Sequence, residues 1–155
     1  MRAFTPGSRI LLIVALAALT LTAPSAARVK PAVNTNGRGE LAVAGYDVVA
    51  YTSGVAVGGT AAFEHRWNDA VWRFTSAANR ERFSRDPERF APQFGGYCAW
   101  AVSRGYTADI DPEAFRMVDG KLYLNYSKAV QRHWQQDIPG NIAKGRANWP
   151  TVLAR

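Results

Sequence analysis

"FEHRWNDAVWRFTSAANRERFSRDPERF", residues 63–90, changes its apolar period midway. Phe63, His65 and Trp67 fall on one face of an extended segment. Asn68-Asp69 makes a polar turn, and Trp72 and Phe74 continue the apolar face, which is a β-hairpin pattern. Ser76 then reads as the N-cap of "AANRERFSR", where Ala78, Arg82 and Phe83 mark a short amphipathic helix. Asp86-Pro87-Glu88 opens a further helical turn, with a capping acid, proline at the first helical position and an early carboxylate. A hairpin that runs straight into helices predicts an α+β fold.

The flanks extend this pattern. "YCAWAVSR", 97–104, is short and largely apolar, and Arg104-Gly105 is a helix stop. "DPEAFRMVDGKLYLNYS", 111–127, predicts a second hairpin around Asp119-Gly120, the favoured pair for a type I′ turn. Ser127 caps "KAVQRHWQQD", where Val130 and Trp134 are one turn apart. Asp137-Ile138-Pro139-Gly140 breaks that helix, and "NIAKGRANWP" makes a last one. Towards the N-terminus, Val48, Val49 and Tyr51 suggest a short strand or extended segment, followed by a loop at Gly54, Gly58 and Gly59. Residues 28–44 are polar, rich in glycine and alanine and aperiodic, which predicts a flexible arm. No internal repeat is visible. The expected product is one small domain, residues 45–150, of short hairpins packed with several short helices.

Residues 1–27 are set apart. Arg2 and Arg9 precede an apolar run from Ile10 to Leu21, too short for a comfortable transmembrane helix, which needs about 20 residues. Ser25 and Ala27 supply small residues for a cut, the layout of a secretory signal peptide. An uncleaved anchor is the alternative. Cleavage would leave a chain from Arg28 with no stable transmembrane span. A single cysteine allows no internal disulfide, and export without one fits a bacterial periplasm or exterior. The chain of 155 residues carries 19 Lys and Arg against 12 Asp and Glu, a net charge of +7. The cations are interleaved with acids, as in Arg80, Glu81, Arg82, Arg85 and Asp86, so they read as solvated faces and not as a nucleic-acid block. No triad order, phosphate loop or zinc-protease motif is present.

The stretch from Phe63 to Val102 resembles the YHS domain, through Trp72, Phe74, Ser76, Asn79, Phe83, Asp86, Pro87 and Phe90. "GYDVVAY", "GGYCA", "DGKLYLNYS" and "DIPGNIAKGRANWP" extend the resemblance to exported bacterial YHS-containing proteins, some described with selenocysteine in place of cysteine. The resemblance implies the YHS fold and, through cysteines that many relatives carry at the hairpin–helix junction, metal handling. This chain has Thr75 and Asn79 at that junction. A closed zinc site needs four Cys or His ligands, and one cysteine and two histidines are too few, so no structural zinc is expected.

Cys98 is then the candidate chemical site. One reading is a small core hydrophobe. The other is a reactive thiol of lowered pKa, because Gly95-Gly96 would bring it to the free N–H groups of a helix start. His65 is the second candidate, either half-buried and hydrogen-bonded or a ligand joining Cys98 around a copper ion. A redox thiol would need an external thiol partner, since no second cysteine can resolve a sulfenic acid; a metal-handling protein is the other partner type implied. His133 reads as solvated and Met117 as core. Tyr46, Asp47 and Tyr97 either line a pocket or serve as local caps and core-edge hydroxyls. Two functions follow: thiol-centred redox or copper binding, or a non-catalytic binding or scaffold module of the envelope with a structural cysteine.

Overall fold

The computed structural model describes residues 29–37 and 39–154. Residues 1–27, on which the expected signal peptide falls, lie outside them, as do Arg28, Arg38 and Arg155. β1 (Thr60–Trp67) and β2 (Ala70–Phe74) pair antiparallel, with His65 opposite Trp72. Asn68 and Asp69 both have positive φ, 50° and 59°, the signature of a type I′ turn whose twist matches the strands. Phe63, His65 and Trp67 are half-buried between exposed neighbours, and Trp72 and Phe74 are buried, as the alternation requires. The second hairpin, β3 (Asp111–Val118) and β4 (Lys121–Asn125), turns on Asp119 and Gly120 with φ of 50° and 73°.

Two-stranded hairpins are marginal alone, so helices cover them. In α1 (Ala77–Arg85), Ser76 Oγ accepts the Asn79 N–H at 3.1 Å, the expected cap. Phe83 reaches back onto Trp72 and Phe74, with ring centroids 4.9 and 5.1 Å away. Burying such a side chain is worth about 1.5–3 kcal/mol. α2 (Pro87–Phe90) follows, then α3 (Ala99–Ser103), α4 (Lys128–Gln135) and α5 (Ile138–Asn148). Ser127 Oγ caps α4 by accepting the Val130 N–H at 3.2 Å. The whole is one small α+β domain.

The structure contains an internal repeat that the sequence reading missed. Strands β3 and β4 begin 51 positions after β1 and β2 (111 − 60 = 51; 121 − 70 = 51), and both pairings shift register at the corresponding place. The left-handed turn Ala42–Gly45 matches Gln93–Gly96 at the same offset: Val43 and Ala44 have φ of 49° and 52°, Phe94 and Gly95 of 56° and 60°. Gly54 and Gly105 both have positive φ. Ser76 and Ser127 cap matching helices, and Asp86 and Asp137 share one backbone conformation, φ −151° and −147°. Trp72 against Phe83 is repeated by Tyr123 against Trp134, with ring planes at 33° and 31°. A first unit from Ala42 to Phe90 and a second from Gln93 onward therefore share one plan.

Three further expectations are corrected. The arm is packed over its described part. Val33 and Asn34 are buried, the Asn34 N–H donates to the Gly95 carbonyl at 2.8 Å, and the Val71 N–H donates to the Glu40 carbonyl at 2.7 Å. Backbone pairing along an existing structure needs no apolar period, which is why composition misread it. Val48, Val49 and Tyr51 form no strand; Val48 and Val49 precede a 3₁₀ turn, Ala50–Ser53, in which Tyr51 is the buried residue. Asp137-Ile138-Pro139-Gly140 both ends α4 and begins α5, because Asp137 Oδ1 accepts the Gly140 N–H at 2.9 Å and proline is tolerated in a first turn.

Candidate functional site

The internal repeat places two residues of unlike chemistry in one structural position. In the first unit it is Asp47, fully buried at 0 % exposure. Its Oδ1 accepts the Val49 N–H at 2.9 Å and the Ala50 N–H at 3.3 Å. Its Oδ2 accepts the Thr75 N–H at 2.9 Å, the Thr75 hydroxyl at 2.7 Å and an Asn79 amide hydrogen at 2.7 Å. A buried carboxylate is tolerated only with such full pairing. Asp47 thus latches the 3₁₀ turn to the end of β2 and the start of α1. The local-cap reading of Asp47 is the one seen. Thr75 and Asn79, at the junction where the YHS resemblance implies metal ligands in other proteins, serve this latch. Asp47 lines no pocket with Tyr97, whose hydroxyl donates to the Pro31 carbonyl at 2.9 Å.

In the second unit the position is Cys98 (47 + 51 = 98), 1 % exposed at the N-cap of α3. Its sulfur faces the peptide N–H groups of Ala101, Tyr126 and Trp100. These are the 51-residue counterparts of Ala50, Thr75 and Val49, the three residues whose N–H groups hold Asp47. The thiol also lies 3.9 Å from Asn125 Oδ1, which accepts the Trp100 N–H at 3.3 Å. The expectation of a lowered thiol pKa is reversed: burial pushes the Cys98 thiol up, and the three N–H groups oppose that effect without overcoming it. The argument from a helix start foresaw Trp100 and Ala101 beside the sulfur but not Tyr126, which follows β4, and the Trp100 N–H is taken by Asn125 Oδ1. That argument omitted desolvation, which depends on what covers the residue.

His65 and Cys98 are not brought together by any contact in the structure. The His65 ring packs on Phe83 at 5.9 Å between centroids, while Cys98 sits with Asn125. Among the described residues no three His, Cys, Asp or Glu side chains are grouped to hold a metal ion. The donor set does not fit a copper site. His133 is exposed beside Trp100, and Met117 packs against the core, as expected.

The sequence reading also missed a cleft of about 430 Å³ between the tip of the first hairpin, the Phe94–Gly95 turn and the C-terminal end. Trp67, Trp72, Phe94 and Trp149 supply ring surface, and Arg146 is its one charged side chain. No acid lines it. Its residues come from distant parts of the chain, so no local pattern marks them. A second cavity, of about 270 Å³, is lined by Cys98, Trp100, Tyr106 and Tyr126, with Tyr106 and Tyr126 half-exposed at 50 % and 58 %.

No family model, curated protein or solved structure matches the chain.

Burial raises Cys98 and, more strongly, Tyr51, whose hydroxyl donates to the Pro112 carbonyl at 2.8 Å. Both groups keep their protons longer folded than unfolded. Their contribution to stability is full below the unfolded pKa values, near 8.5 and 10, and is lost as pH rises through the folded ones. Stability should therefore fall above about pH 9, by up to about 1.4 kcal/mol per pH unit for each group in its window. Urea unfolding at several alkaline pH values measures this slope. Cys98→Ala and Tyr51→Phe should each flatten it, and an unchanged slope in both would contradict the assignment.

Proposed function

We propose that this protein is an exported, non-catalytic binding module of YHS type. In this reading Cys98 belongs to the framework, and the ring-lined cleft takes a small aromatic or apolar carboxylate. Export is supported by the signal-peptide layout of residues 1–27. The framework role of Cys98 is supported by its burial in a position that Asp47 fills as a latch in the first unit. The observation that carries the ligand class is the cleft's lining: aromatic rings, one guanidinium and no acid. A volume of about 430 Å³ falls within the range of roughly 300–1,000 Å³ common for small-molecule sites. Arg146 is in no ion pair among the described residues, and a guanidinium pairs well with a carboxylate fork.

Equilibrium dialysis of the full chain against indole-3-acetate and against indole tests this reading. Both should bind, the acid more tightly. Arg146→Gln should weaken the acid roughly tenfold, as the loss of a charge-assisted hydrogen bond would, and leave indole nearly unchanged. Ala32→Trp, at an exposed position on the rim, should block both. Equal affinity for acid and indole, or an Arg146→Gln variant indistinguishable from the parent, would refute the carboxylate assignment.

A further inference from the structure

The internal repeat also duplicates the cleft. A second hollow, of about 280 Å³, lies between the tip of the second hairpin and α5. Val118, Asp119 and Tyr123 in its wall stand 51 positions after Trp67, Asn68 and Trp72 in the wall of the first cleft. Ile142 and Ala143 stand 51 positions after Ala91 and Pro92, and Arg146 stands 51 after Gly95. Six of its nine lining residues therefore answer to residues that line the first cleft. In both units the hollow forms where the hairpin tip meets the segment that follows the matched aspartate, Asp86 or Asp137.

The side chains of the second hollow differ in kind. Trp67 and Trp72 give way to Val118 and Tyr123, and Ile138, Pro139 and Ile142 complete an aliphatic wall. Lys121 adds a cation, and Arg146 lines this hollow as well as the first. Burial pushes the Tyr123 hydroxyl up, and a hydrogen bond with the Arg146 guanidinium opposes that effect. A guanidinium has five N–H donors, so one bond to Tyr123 leaves others for a ligand. Asp119 is the one acid in the lining, exposed at the hairpin turn. Neither Lys121 nor Arg146 is in an ion pair with it or with any other acid among the described residues. We infer that this second cleft binds a short branched aliphatic carboxylate, its chain against Val118 and Ile142 and its carboxylate held by Arg146 and Lys121. A volume near the lower end of the roughly 300–1,000 Å³ common for such sites, and a lining without tryptophan, select against the aromatic acids assigned to the first cleft. Because one guanidinium lines both clefts, an acid in either should weaken acid binding in the other. That coupling rests on the proposed role of the first cleft; the second site does not.

Equilibrium dialysis of the full chain against radiolabelled 4-methylpentanoate, with 4-methylpentanamide as the uncharged comparison, tests the site. The acid should bind roughly tenfold more tightly than the amide, and Arg146→Gln should remove that advantage, as the loss of a charge-assisted hydrogen bond would. Lys121→Gln should weaken the acid roughly threefold, as an exposed cation does. Ala143→Trp, at an exposed position that lines only the second cleft, should abolish 4-methylpentanoate binding and leave indole binding intact. Ala32→Trp, on the rim of the first cleft, should leave 4-methylpentanoate binding intact. Saturating indole-3-acetate should weaken 4-methylpentanoate roughly tenfold, and saturating indole, which needs no cation, should not. A chain that does not bind 4-methylpentanoate, or binds it equally well after Ala143→Trp or Arg146→Gln, overturns the proposal. Full affinity for 4-methylpentanoate with indole-3-acetate bound overturns the sharing of Arg146. The Ala143→Trp and Arg146→Gln results decide the second cleft whatever the first one binds.

Discussion

Replacing Asp47 by alanine should destabilise the protein by about 3–5 kcal/mol, because several donors would lose their acceptor inside the fold. The carboxylate receives two N–H groups from its own turn and three donors from Thr75 and Asn79. Two of the five keep a second acceptor, the Ala50 N–H on the Asp47 carbonyl at 3.1 Å and the Asn79 amide on the Thr75 hydroxyl at 3.3 Å, so the loss falls mainly on the Val49 N–H and on the Thr75 donors. A domain of this kind has about 5–15 kcal/mol in total, so the variant should melt roughly 10–20 °C lower or fail to accumulate. Asp47→Asn keeps one oxygen and its two local N–H bonds but presents an NH₂ group to the Thr75 and Asn79 donors. It should lose nearly as much. Thr75→Val removes a single hydroxyl donor and should cost only about 1 kcal/mol. Thermal unfolding of the three variants measures the order. If Asp47→Ala proved no worse than Thr75→Val, the latch would not be holding the two segments together.

The second large effect is expected at Gly95. A Cβ there would lie 1.9 Å from the Ala32 carbonyl oxygen and 3.0 Å from the Trp149 ring, in a backbone conformation with φ of +60°. The nearest obstacle is backbone, which cannot swing aside like a flexible side chain. The same turn carries the packed arm: the Gly95 carbonyl accepts the Asn34 N–H, and the Gly96 carbonyl accepts an Asn34 amide hydrogen at 3.2 Å. Gly95→Ala combines overpacking with left-handed strain and should cost about 3–4 kcal/mol. Gly120→Ala is the matched comparison, since its φ is +73° and a Cβ there would meet nothing within 4 Å. It should cost about 1 kcal/mol, from strain alone. Denaturant unfolding of both variants separates the clash from the strain; equal losses would mean that the arm yields easily at Ala32.

The sequence by itself determined the elements whose causes are local. Alternation around Asn68-Asp69 and Asp119-Gly120 specified both hairpins, because period-2 burial and a φ-tolerant turn pair are properties of neighbouring residues. Ser76 and Ser127 specified helix starts for the same kind of reason, a side-chain oxygen meeting an N–H three residues on. The α+β class followed from these elements. Only the tertiary structure decided the rest. The repeat at 51 residues rests on conserved backbone geometry that few side chains are obliged to mark: Gly45 and Gly96, Tyr46 and Tyr97, Ser76 and Ser127, Asp86 and Asp137 remain alike, while Phe83 answers to Trp134 and Asp47 to Cys98. The environment of Cys98 was half legible. The N–H groups of Trp100 and Ala101 near its sulfur follow from the adjacent helix start, but that of Tyr126 and the burial come from segments distant in sequence, and burial sets the direction of its pKa. The cleft beside Arg146 could not be read at all, because its walls come from four separated segments whose approach is fixed by packing.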